Sequence, residues 1–101
     1  MFKHNVVIKR LVLDVMKPHK PDIIELGRQL SSLAGVDGCN LTVLEIDKSV
    51  ENVKITIDGE DIPAREVERV LEENGATIHS IDKVSIGKLG TRMVEEAPYD
   101  H

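Results

Sequence analysis

Asn52-Val53-Lys54-Ile55-Thr56-Ile57-Asp58 alternates in character from one residue to the next. Val53, Ile55 and Ile57 share one parity, and Lys54 and Thr56 the other. That is the period of a strand with one face in a core and one in water. Asp58-Gly59-Glu60-Asp61 follows as a turn, and Pro63 then takes a favoured first-turn position of a helix. Val67, Val70 and Leu71 give that helix an apolar stripe, and Asn74-Gly75 ends it. Upstream, the polar turn Lys48-Ser49-Val50-Glu51 joins the alternating strand to another over residues 39–47, so the two form a hairpin.

Before the hairpin, Asp22 or the turn preceding it opens a segment with Ile23, Leu26, Leu30 and Leu33 at helical spacing. Gly35 lies just past it, where a C-terminal cap needs a residue tolerant of positive φ. Pro18 and Pro21 separate this helix from residues 6–16, Val-Val-Ile-Lys-Arg-Leu-Val-Leu-Asp-Val-Met. Near-continuous apolarity and β-branching there predict a central strand. Residues 76–86 supply a fourth. The order β-α-β-β-α-β predicts an α+β, ferredoxin-like sandwich, a four-stranded antiparallel sheet with two helices on one face. Right-handed crossovers put the first and third strands in the middle.

Two strands depart from clean alternation. Leu41 and Val43 take one parity and Leu44 and Ile46 the other, and Ile78, Ile81, Val84 and Ile86 also switch. Either a bulge accounts for each switch, or the strands are apolar on both sides and the second face packs against another subunit.

The composition narrows the function classes. The chain has 101 residues, 31% of them charged, with a formal net charge of −5. That size fits one domain, assigned to residues 1–87, with residues 88–101 as a C-terminal tail or subunit-docking arm. The tail contains Leu89, Met93 and Val94, which a purely disordered end would not need. With one Phe, one Tyr and no Trp, the core must be aliphatic. Acidity and the lack of aromatic platforms argue against nucleic acid as a partner. The lone Cys39 forms no internal disulfide or CxxC site, no apolar run approaches the ~18 residues of a membrane span, and no signal pattern is seen. A cytoplasmic location is expected. The common phosphate-loop, zinc-protease and serine-hydrolase motifs are absent, so the chain is more readily a binding or assembly domain than an enzyme.

Two resemblances add to this. Residues 33–38, 53–57 and 70–76 look like the scaffold of heavy-metal-associated copper-chaperone domains, but His19-Lys20-Pro21-Asp22 stands where those carry two cysteines, and the soft-metal site is missing. A longer likeness is carried by Arg10-Leu11-Val12-Leu13-Asp14-Val15-Met16-Lys17-Pro18-His19, Gly35-Val36-Asp37-Gly38-Cys39-Asn40-Leu41-Thr42, Glu45-Ile46-Asp47, Glu51-Asn52-Val53-Lys54, Ile78-His79-Ser80-Ile81-Asp82 and Met93-Val94-Glu95-Glu96. Here the chain resembles an archaeal family of about this length, domain-of-unknown-function family 211. The resemblance implies a ferredoxin-like fold and ring-shaped homo-oligomers, and carries no activity with it.

Glu45 and Asp47 share a strand face, and Asp14 joins them if the register allows. Three converging carboxylates would suit calcium or magnesium, which prefer oxygen ligands; the plainer reading is solvated strand-end charges paired with Lys54 or Arg10. His79, beside Ser80 and Asp82, is either a metal ligand or general base, or a hydrogen-bonded structural residue. The expectation is thus a self-assembling domain that binds a small ligand or divalent cation through Asp14, Glu45, Asp47 and His79. The alternative is a metal-assisted enzyme using the strand carboxylates and His79.

Overall fold

The computed structural model describes residues 5–96. Six elements follow in order: β1 (Val6–Pro18), α1 (Ile23–Ser31), β2 (Val36–Ile46), β3 (Val50–Gly59), α2 (Ala64–Glu73) and β4 (Thr77–Lys88). The strands form one antiparallel sheet in the order β2-β3-β1-β4, which is the ferredoxin-like arrangement with β1 and β3 central. Among the described residues, no helix is long and apolar enough to cross a membrane.

Alternation in β3 becomes the centre of the core. Leu11 pairs with Ile57, Leu13 with Ile55 and Val15 with Val53, all on the side covered by helices. Leu26 and Leu30 of α1 and Val67, Val70 and Leu71 of α2 close over them. The Asp22 carboxylate accepts the Glu25 backbone N–H at 2.9 Å, satisfying one of the free donors at the start of α1. At Gly35, with φ +93°, a side chain would collide with the Asp61 carbonyl, so this turn requires glycine for both its conformation and its packing.

Several boundaries move. β1 runs on to Pro18, β2 starts at Val36 and β4 reaches Lys88. Val50 and Glu51 belong to β3, because the Asp47 carboxylate accepts the Ser49 and Val50 N–H groups at 3.0 Å each and closes a tighter turn than expected. Pro63 is the residue before α2 rather than its first residue. Leu33 lies beyond the end of α1 yet still packs against the core.

Bulges explain the parity switches. The β2–β3 register slips between Val43 and Glu45, leaving Leu44 as the extra residue. In β4, His79 and Asp82 are extra, so Ile78, Ile81 and Val84, three apart in sequence, pair with Val15, Leu13 and Leu11 on the helix side. The opposite face is mostly polar: Arg10 lies beside Asp58 and Ser85, and Asp14 beside Lys54 and Ser80, with the buried Val12 between Thr56 and Lys83. These strands are therefore not apolar on both faces. What the helices leave bare is part of their own side of the sheet, where Ile81, Val84 and Ile86 are 61%, 46% and 53% exposed.

Past β4 the chain turns at Gly90. The buried Lys9 ammonium donates to the Thr91 hydroxyl at 2.7 Å and to its carbonyl, and the Glu60 carboxylate accepts the Gly90 N–H at 2.6 Å. Residues 92–96 then lie beside Arg10 and Lys83 of the polar face. The expected tail beyond residue 96 lies outside the described residues.

Candidate functional site

Lys9 and Lys17 share the parity of Leu11, Leu13 and Val15, and both are buried. A buried ammonium needs partners, because its desolvation otherwise outweighs any gain from packing. At the end of β1, Lys17 donates to the Pro18 carbonyl at 2.7 Å and to one Glu51 oxygen at 3.2 Å. The other Glu51 oxygen faces His19 Nδ1 at 3.1 Å, and His19 Nε2 faces the Lys48 carbonyl at 3.0 Å. Both ring nitrogens meet acceptors, and only the imidazolium can donate to both. The hydrogen bond to Glu51 accordingly raises the His19 pKa, followed by the bond to Lys48, and the same pairing holds the Glu51 carboxyl below its ordinary value. The result is a clasp between the β1–α1 loop and the β2–β3 turn. Its groups are committed to one another, which fits a structural role.

The expected metal ligands are only partly brought together. Asp14 accepts a hydrogen bond from the Asn52 side-chain amide, and Glu45 pairs in register with Asn52. Glu45 and Asp47 line a cleft of about 170 Å³ with Met16, Ile46, Val50 and Asn52. Asp47 already accepts two backbone donors in the turn, and these bonds lower its pKa. His79 is an exposed bulge residue of β4, while its neighbour Ser80 donates to Asp82 at 2.7 Å. Among the described residues, no three His, Cys, Asp or Glu side chains are grouped so as to hold a metal ion. Cys39 is half-buried in a groove with Ile23, Ile24 and Leu41, its thiol 3.6 Å from the Gly27 carbonyl.

Other features escaped the sequence. Arg10 forks onto Asp58, Nε to Oδ1 at 2.6 Å and Nη2 to Oδ2 at 2.8 Å, and this pairing raises the Arg10 pKa and lowers that of Asp58. Beside it, Lys83, Arg92 and Glu96 line a cleft of about 540 Å³, with Lys83 on Glu96 at 2.8 Å. The available clue was the pair of lysines in phase with core residues; their acidic partners lie too far along the chain for any local pattern to identify.

Apart from Val6, Ile24, Leu89 and Val94, the exposed large apolar residues fall at the two edges of the sheet. One edge carries Ile81, Val84 and Ile86 of β4, and the other carries Leu44 and Ile46 of β2, 53% and 66% exposed.

Against known sequences, the model of domain-of-unknown-function family 211, described as an uncharacterised ArCR, matches residues 9–100. An uncharacterised protein of the archaeon Methanocaldococcus jannaschii is 48% identical over 89 residues, which cover 88% of this chain and 89% of that one. With nearly the whole chain matched, and with the fold the resemblance implied, this protein belongs to domain-of-unknown-function family 211.

Proposed function

We propose that the chain is a non-catalytic, self-assembling subunit of a ring-like homo-oligomer. The observation that carries this reading is the uncovered strip of Ile81, Val84 and Ile86 on an edge strand. Exposed apolar residues in a row on a sheet edge are an aggregation hazard unless something covers them. The β2 edge offers a second apolar surface, Leu44 and Ile46, different from the first. Contact between two unlike edges is heterologous, and such contacts close into rings when the rotation between copies permits. In this reading a divalent cation is held between copies. Glu45 and Asp47 of one chain supply too few oxygens for the six to eight that calcium takes.

Light scattering on the native protein and on an Ile81→Lys/Val84→Lys variant tests the assembly. The native mass is expected to be a multiple of 11.2 kDa and the variant to run as a monomer with an unchanged circular dichroism spectrum. A native monomer, or a variant of unchanged mass, overturns the reading. Calcium and magnesium are expected to raise the melting temperature of the assembled protein and not that of the monomeric variant, since a ligand stabilises only the state that binds it.

A further inference from the structure

The cleft between residues 92–96 and the polar face of the sheet sets three cations, Arg10, Lys83 and Arg92, against two carboxylates, Glu95 and Glu96. Met93 and Val94 complete its lining. What neutralises Lys83 is a carboxylate of the same chain, Glu96, at 2.8 Å. Arg10 is already taken by Asp58 in a two-pronged pair, so its guanidinium is oriented and its charge half-spoken for. Glu96 feels both cations: the hydrogen bond to Lys83 first, and then the field of Lys83 and of Arg10, favour its charged form.

The segment that delivers Glu96 is anchored at one end and loose at the other. Its root is fixed by the buried Lys9 on Thr91, by Glu60 on the Gly90 N–H and by the Leu89 N–H on the Asn5 carbonyl at 2.7 Å. The tip is held by the Lys83–Glu96 pair, and the Glu96 side chain is 71% exposed. Exposed ion pairs are weak, so this contact can open without unfolding its root.

We propose that this cleft is an anion-binding site, that Glu96 is its resident and displaceable occupant, and that its ligand is a small phosphorylated molecule. A phosphate group carries more charge than one carboxylate and presents several acceptor oxygens to Lys83 and Arg92, so it competes well for the same place. Met93 and Val94 give the remainder of such a molecule an apolar wall. A volume of about 540 Å³ falls within the range of ordinary small-molecule sites. The cleft lies on the opposite side of the sheet from Ile81 and Val84, so this inference does not depend on self-assembly.

Isothermal titration of the full chain with inorganic pyrophosphate, at fixed ionic strength and without divalent cations, provides the test. The native protein is compared with Glu95→Gln/Glu96→Gln, Lys83→Gln and Lys20→Gln variants, each verified as folded by circular dichroism. Removing the resident Glu96 together with the charge of its neighbour Glu95 is expected to tighten saturable binding roughly threefold, and Lys83→Gln to weaken it about tenfold, as loss of a charge-assisted contact does. Lys20→Gln, away from the cleft, leaves it unchanged. No saturable binding in either the native chain or the double variant overturns the proposal. Equal losses in Lys83→Gln and Lys20→Gln overturn it too, because they mark diffuse attraction rather than a site. Light scattering on the same samples reads self-assembly separately, so either reading can fail without the other.

Discussion

β3 and β4 place the same kinds of residue on the same side of one sheet and give them opposite surroundings. Val53, Ile55 and Ile57 of β3 are 0% exposed, whereas Ile81 and Val84, paired through β1 with the same rows, are 61% and 46% exposed. Residue pattern and register decide which way a strand side chain points. Whether it is buried depends on what lies above, and the helices cover β3 and β1 but reach β4 only near Ile78. The difference between the strands is therefore one of coverage: β3 holds the subunit together, and β4 carries the bare strip on which the proposed assembly rests.

The largest effect should come from truncating the buried member of the comparison. Ile55→Ala is expected to cost about 2–5 kcal/mol in chemical denaturation, as deletion of a fully buried aliphatic side chain does. Deleting Asp82 tests the comparison from the other side: it takes out the extra residue, so Lys83 follows Ile81 directly and Val84 and Ile86 keep their place on the helix side. It should leave assembly in light scattering intact while changing the stability of the subunit by about 1 kcal/mol. In a monomeric background, Ile81→Ala should change stability by no more than about 0.5 kcal/mol, the usual range for a surface position. A loss equal to that of Ile55→Ala would mean that β4 is covered within the subunit after all.

A smaller effect separates the clasp from both strands. The folded His19 pKa is raised, so its contribution is fully present below the ordinary histidine value of about 6.5 and is lost as pH rises through the higher folded value. The Glu51 pKa is lowered, so its share is present above the ordinary glutamate value and is lost as pH falls through the lower folded one. Melting temperature should therefore decline as pH rises past the ordinary histidine value in the native chain and show less of that decline in His19→Gln. A variant with the native profile would remove His19 from the account.

The element order, the central strands, the aliphatic core and the need for a positive-φ glycine at residue 35 could all be read from the sequence, since each rests on local spacing or on a rule of chain connection, but the cap of α1 is Ser32 and Gly35 serves the turn into β2. The parity switches were visible as well, but not their direction. A bulge is a relation between two strands, and its effect on Ile81 depends on how far α2 reaches across the sheet. The candidate site was less legible for a similar reason. Glu45 and Asp47 do line one cleft, but the bulge at His79 and the attachment of Asn52 to Asp14 depend on cross-strand register. The Lys17–Glu51–His19 clasp joins residues more than 30 positions apart in sequence, so only the fold reveals it.

The central claim, that a second copy covers β4, is tested most directly by methyl NMR of the native protein with a soluble paramagnetic probe, which attenuates signals from groups that solvent can reach. The account predicts that the Ile81 methyl groups are shielded as well as those of Ile55, while Val94, 76% exposed in the single chain, is strongly attenuated. Attenuation of Ile81 equal to that of Val94 would contradict it.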